Sequence, residues 1–163
     1  KQIKSYGVLP IKNINVNSTL YFNSTFENCS ALKYIDMTRF TGMIYYSATF
    51  QGCVSLQEVK FGNTQLKSFA SLFSGCTNIK VIDISNFDIS SLNAMTANFK
   101  NCTSLTTLIL PTIFDTSKIT SMVQLFANCP KLTLDCSEWD TTSLTNVYGF
   151  KTNSPNVIAP FAE

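Results

Sequence analysis

The chain reads as an α/β repeat solenoid: a right-handed superhelix with a parallel β-sheet on its concave side and short helical or 3₁₀ turns on its convex side. Three observations predict it. A Phe-x-x-Cys pair recurs as Phe26/Cys29, Phe50/Cys53, Phe73/Cys76, Phe99/Cys102 and Phe126/Cys129, at spacings of 24, 23, 26 and 27 residues, and a fixed period of this size is the signature of stacked repeats. Behind each Cys lies an apolar comb, as in Leu32, Ile35 and Met37 or Leu56, Val59 and Phe61, whose last members alternate with polar residues as a short strand does. Ahead of each next Phe, apolar residues stand at i, i+3 and i+7, which is one face of a helix: Met43, Tyr46 and Phe50, then Leu66, Phe69 and Phe73. Parallel strands joined by crossovers take the right hand.

Taken in order, the units are 1–28, 29–52, 53–75, 76–101, 102–128 and 129–152, with 153–163 a partial repeat or cap, all in a single domain. In the first, Ile3 stands in the Cys place, and Val8, Pro10 and Lys12 alternate with Leu9 and Ile11 as a strand. Pro10 lacks an N–H, which suits an edge. The second unit places Ile35 and Met37 inward, bends at Gly42 and runs on to Phe50; the third repeats it with Val59 and Phe61. The fourth turns Ile82 inward and brings Leu92, Met95 and Phe99 onto one face, and the fifth does the same with Ile119, Met122 and Phe126. After Cys129 the comb is one residue short and reads Leu132, Leu134 and Cys136; Phe150 then follows, with Asn153 in the Cys place. One unit alone cannot be stable. Its handful of buried side chains gains roughly 1.5–3 kcal/mol each, while ordering its residues costs on the order of 1.5 kcal/mol apiece, so neighbours must cover its flat ends.

Composition narrows the function classes. A net charge of +2 over 163 residues, dispersed along the chain, leaves no footprint for nucleic acid. No run approaches the roughly 18 apolar residues of a membrane helix, so no membrane insertion is expected of this segment. A basic-then-apolar leader is also missing, and the start at Lys1 suggests a piece of something longer.

The in-phase strands, the period and the A/M-x-x-x-F-x-x-C segments resemble leucine-rich repeats of the BspA type. The segments Asn86–Ser90, Phe114–Ser117 and Trp139–Thr142 are similar to the repeats of large bacterial surface lipoproteins. The resemblance implies an extracellular, cell-surface protein of mucosal, oral or gut microbes with an adhesive role. It does not fix a ligand, because repeat folds host many.

Five of the six cysteines share one repeat position, where neighbouring side chains run parallel about 4.8 Å apart; a disulfide needs Cβ atoms converging to about 3.8 Å. Buried free thiols are therefore expected. With no His and no Cys-x-x-Cys, neither a metal nor another cofactor is expected. Asp36, Asp83 and Asp135 share an outward strand slot two coils apart, roughly 10 Å, and read as solvating residues rather than as a hydrolase pair. Asp88, Asp115 and Asp140 read as Asx turns or caps. The Phe of each pair should form a stacked spine, with Phe87, Phe114 and Trp139 in a second interior slot. Sequons at Asn17 and Asn23 matter only in a glycosylating host.

Only the outward strand positions are free to carry recognition chemistry: Tyr34, Asp36, Glu58, Lys60, Val81, Asp83, Thr107, Ile109 and Asp135. They predict a non-catalytic module that binds a host or microbial surface or matrix protein, with a glycan as the second choice. Tyr34 is the anchor and Asp36, Lys60 and Asp83 are the orienting charges. Two other readings stand beside it. A structural spacer predicts a face without chemical character, and a parallel β-helix enzyme on carbohydrate predicts two or three strand-like runs per coil.

Overall fold

Four residues of strict alternation, as in Tyr34-Ile35-Asp36-Met37, specify a strand of that length and little more. In the computed structural model, which describes residues 19–161 and so leaves the strand expected at 8–12 outside the described residues, the runs from Tyr34 and Glu58 are strands whose inward members Ile35, Met37, Val59 and Phe61 are buried. The strands are β1 (Leu20–Tyr21), β2 (Tyr34–Met37), β3 (Gly42–Tyr45), β4 (Glu58–Phe61), β5 (Thr64–Ser68), β6 (Val81–Asp83), β7 (Phe87–Asp88), β8 (Thr107–Ile109), β9 (Leu134–Asp135) and β10 (Val157–Ile158). Every pairing among them is parallel and joins neighbouring coils, so the described residues form a parallel β-solenoid of about six turns. Ile35, Met37, Val59, Phe61, Ile82 and Leu108 all point into the core, as the alternation requires.

Two features differ from the expected architecture. The coils carry two strand faces in the first half of the molecule, because β1, β3, β5 and β7 form a second, four-stranded sheet. Two strand runs per coil is the feature that the β-helix reading asked for. The first face, in turn, is not one continuous sheet. It is three separate ladders, β2–β4, β6–β8 and β9–β10.

The second difference concerns the segments ending at each Phe-x-x-Cys. Helical or 3₁₀ turns were expected there, and among the described residues no helix is present. Met43 lies on β3 and Leu66 on β5, and each strand runs into consecutive turns. The reason lies in the backbone. Left-handed residues recur twice in every coil, two before the Phe (Ser24, Ala48, Ser71, Ala97, Gln124) and just before the Cys (Asn28, Gly52, Gly75, Asn101, Asn128), and a right-handed helix cannot pass through them. The N–H groups that a helix would send back four residues go to the next coil instead: Phe50 N to Leu72 O at 3.0 Å and Phe99 N to Leu125 O at 3.1 Å. The spacing i, i+3, i+7 is thus made by turns, and Tyr46, Phe69, Met95 and Met122 are buried all the same.

The Phe spine exists. Phe26, Phe50, Phe73, Phe99 and Phe126 stack at centroid distances of 5.6, 5.8, 6.3 and 5.5 Å, with planes within 22°. In the second interior slot, Phe87 is buried and Phe114 packs on Trp139 at 4.9 Å. The sixth coil departs from the expected alignment by one residue. Phe126 N donates to Phe150 O where Phe99 N donates to Leu125 O, so Phe150 fills the Leu125 slot and Lys151 the Phe slot. Phe150 meets Phe126 edge-on at 86° and ends the parallel stack. Asn153 takes the left-handed position and Ser154, not Asn153, takes the Cys place.

Ser154 also explains what the cysteines do. Four thiols donate to the carbonyl of the Phe one coil back: Cys53 to Phe26, Cys76 to Phe50, Cys102 to Phe73 and Cys129 to Phe99, at 2.8–3.1 Å. The Ser154 hydroxyl makes the same bond to Phe126 O at 2.5 Å. The slot therefore asks for a small side chain with a donor. All six cysteines are free and buried. Burial pushes the Cys53, Cys129 and Cys136 thiols up to about 12 and raises Cys76 and Cys102 as well. Since the thiolate is the reactive form, Ellman's reagent at pH 8 should label these five only as the fold opens. All six thiols should titrate in denaturant without reductant, and a smaller number would show disulfides.

Candidate functional site

The ladders of the first face set its outward residues in two columns. Register puts Tyr34 beside Glu58 and Asp36 beside Lys60 on β2–β4, then Val81 beside Thr107 and Asp83 beside Ile109 on β6–β8. Where β4 and β6 come together without pairing, the surface opens into a groove of about 660 Å³. Tyr34, Glu58, Lys60, Val81, Asp83 and Ile109 line it, so six of the nine residues expected from the sequence meet in one place. Asp36 and Thr107 stand on the same columns outside the lining, and Asp135 belongs to the separate β9–β10 ladder.

Five further residues line the groove: the inward Val59 and Phe61, and three polar residues that the alternation did not single out, Thr38, Gln57 and Asn86. Gln57 precedes β4, and its side-chain oxygen accepts the Tyr34 hydroxyl from the coil before. Asn86 follows β6 and its Nδ2 lies 3.4 Å from the Phe61 carbonyl across the seam. Both are polar residues at strand ends, and alternation within strands gives them no signal. The second sheet carries another outward aromatic pair, Tyr21 stacked on Tyr45 at 4.7 Å. A cavity of about 610 Å³ at the last coil, lined by Gly149, Phe150, Lys151 and Phe161 among others, contains none of the expected residues.

The carboxylates have a shared geometry. All six aspartates precede Ser or Thr by two residues and accept that residue's N–H: Asp36 from Thr38, Asp83 from Ser85, Asp88 from Ser90, Asp115 from Ser117, Asp135 from Ser137 and Asp140 from Thr142, at 2.8–2.9 Å. These are Asx turns. The expected set of Asp88, Asp115 and Asp140 is one half; the outward strand column is the other. The bonds favour the charged form. Hydroxyl and N–H donors of Thr38, Ser90, Ser117 and Thr142 hold Asp36, Asp88, Asp115 and Asp140 below the ordinary value of 3.8, and the Ser137 N–H does so for Asp135.

A pH dependence follows. A carboxylate with a depressed folded pKa contributes stability that is present above about pH 4 and is lost as pH falls through the folded value. With no histidine in the chain, Tm should stay level from pH 8 to 5 and decline below about pH 4. Asp88→Asn with Asp140→Asn should flatten that decline, because the amide oxygen accepts the same N–H without titrating. A Tm that stays constant down to pH 2.5 in the parent protein would contradict the argument.

Among the described residues no three His, Cys, Asp or Glu side chains are grouped to hold a metal ion, and no helix is long and apolar enough to cross a membrane. Neither a curated protein nor a solved structure matches the chain. One family model does, over residues 67–156, which spans Val81, Asp83, Thr107, Ile109 and Asp135 but not Tyr34, Glu58 or Lys60. That match covers more than half of the solenoid's sequence, and the chain belongs to the family described as Mycoplasma protein of unknown function, DUF285.

Proposed function

We propose that the protein is a non-catalytic recognition module of a cell surface, with repeats of the BspA leucine-rich type, and that it binds a surface or matrix protein on the first strand face. The observation that carries this is the groove, which gathers an aromatic ring, apolar side chains and both signs of charge between two ladders of one face. An aromatic anchor within a polar surround is where interface energy concentrates. The carboxylates support the non-catalytic part. A hydrolase needs one carboxyl raised to serve as an acid, whereas Asp36 and Asp135 of the outward strand column are shifted downward by the donors of their turns.

The test begins with an array of matrix proteins and glycans to find a partner. Tyr34→Ala with Lys60→Ala should abolish binding while leaving the melting temperature nearly unchanged. Lys67→Glu and Lys118→Glu, away from the groove, should bind as the parent does. Unchanged binding by the first variant and loss by the second would refute the assignment to this face.

A further inference from the structure

The charges of the groove are not evenly satisfied. Lys60 lies 3.8 Å from Glu58 and faces Asp36 across the ladder, so two carboxylates compensate one ammonium. Asp83, on the next coil, accepts the Ser85 N–H through Oδ1 at 2.9 Å, and among the described residues its other oxygen has no protein partner. Two aliphatic side chains flank it on β6 and β8, and Lys60 stands across the seam on β4. Val81 stands two residues before it on β6 and Ile109 beside it on β8, exposed by 48% and 41%. Glu58, Lys60 and Asp83 together leave the groove negative in a chain whose net charge is +2. Tyr34, 54% exposed, is tied by its hydroxyl to Gln57 at the other end of the groove.

An open carboxylate reached over two aliphatic side chains fits a cation on an aliphatic stem. We propose that the groove receives a basic side chain, arginine above all, from the protein partner. The stem lies along Val81 and Ile109, as long basic side chains do on apolar surface. The guanidinium meets the free Asp83 oxygen by charge-assisted hydrogen bonds. Glu58 is released to the guest when Lys60 turns to Asp36. This inference rests on the recognition reading of the same face and adds the chemical class of the guest.

The experiment is an amide NMR titration of the whole chain with three capped tripeptides, acetyl-Gly-X-Gly-amide with X as Arg, Glu or norleucine, and with maltotriose. The Arg peptide should shift the amides of Val81, Asp83 and Ile109, and the shifts should shrink as salt is raised. Asp83→Asn keeps the Asx turn and should weaken the Arg peptide roughly three- to tenfold, the range for an exposed, hydrogen-bonded ion pair. Equal shifts from the Glu or norleucine peptide, stronger shifts from maltotriose, or an Asp83→Asn variant that binds the Arg peptide as the parent does would each overturn the proposal. A partner that needs Tyr34 and Lys60 but ignores Asp83→Asn would overturn it while leaving the recognition face standing.

Discussion

Phe99→Ala should lower the unfolding free energy by about 3–5 kcal/mol, the usual cost of a large cavity in a core. Phe99 is the middle of the stack. Phe73 lies 6.3 Å away at 12°, Phe126 lies 5.5 Å away at 8°, and Phe69 meets it edge-on at 6.0 Å. Each of those rings is itself fixed by packing from the next coil, so the gap cannot close by local collapse. Cys102→Ala should cost noticeably less, because it removes one small side chain and one bond to Phe73 O, which also accepts Cys76 N. Cys102→Ser should recover most of that loss, since Ser154 already serves in the same slot. Urea unfolding measures all three, provided the slope stays constant. If Phe99→Ala does not fold, Phe99→Leu gives the graded version. A loss below about 1 kcal/mol for either Phe99 variant would mean that the spine is not what holds the coils together.

Asn98→Leu should stabilise the protein. Asn98 is fully buried, and neither its side-chain nitrogen nor its oxygen has a partner. Unpaired buried polar groups cost about 1–3 kcal/mol. The same slot holds Leu72 in the coil before and Leu125 in the coil after, both buried, so the shape already accepts leucine. Thr49, the polar occupant two coils earlier, is by contrast satisfied by the Phe22 and Tyr46 carbonyls at 2.8 Å. The gain of roughly 1–3 kcal/mol corresponds to a Tm higher by about 2–12 °C in a chain of this size. A lower Tm would show that the amide is solvated inside the core. Tyr46→Phe is a smaller version of the same test. Its hydroxyl is buried without a hydrogen bond, and Thr64, whose hydroxyl lies beside it, donates to Gly62 O instead.

The inward columns were legible because period 2 within a strand and a repeat of about two dozen residues over-determine them: Ile35, Val59, Ile82 and Leu108 can face only one way. The corners were not. Gly and Asn recur before each Cys and take the left-handed backbone, but the other left-handed column holds Ser, Ala and Gln until Gly149 in the last coil, and those residues announce nothing. Without it, turns spaced three and four residues apart look like a helix. The one-residue slip at Phe150 was hidden for a related reason, because an aromatic in the neighbouring slot copies the pattern while the hydrogen bonds do not. On the candidate face the columns were visible and the groove was not. It arises where β4 and β6 fail to pair, after the shortest spacing in the chain, 23 residues from Cys53 to Cys76. Gln57 and Asn86 enter it only because of that opening.

The corner segments carry one more consequence, and it is electrical. At each junction N–H groups of the earlier coil donate to carbonyls of the later one, as from Phe22, Ser24, Phe26 and Asn28 to Tyr45, Ser47, Thr49 and Gln51. The Tyr45 carbonyl and the Tyr46 N–H belong to a single peptide group, which accepts from Phe22 and donates onward to Ser68. Peptide groups are thus threaded head to tail from coil to coil, like the hydrogen-bonded rows of an α-helix, and several rows run side by side. The alternating strand ladders cancel their dipoles; these rows add theirs, at about 3.5 D per peptide, and each bond polarises the next. The solenoid is therefore a polar column with its positive end toward the C-terminal side. A segment stacked there meets a row of backbone donors, and one stacked on the opposite end meets acceptors, so coils can join this column in one sense only.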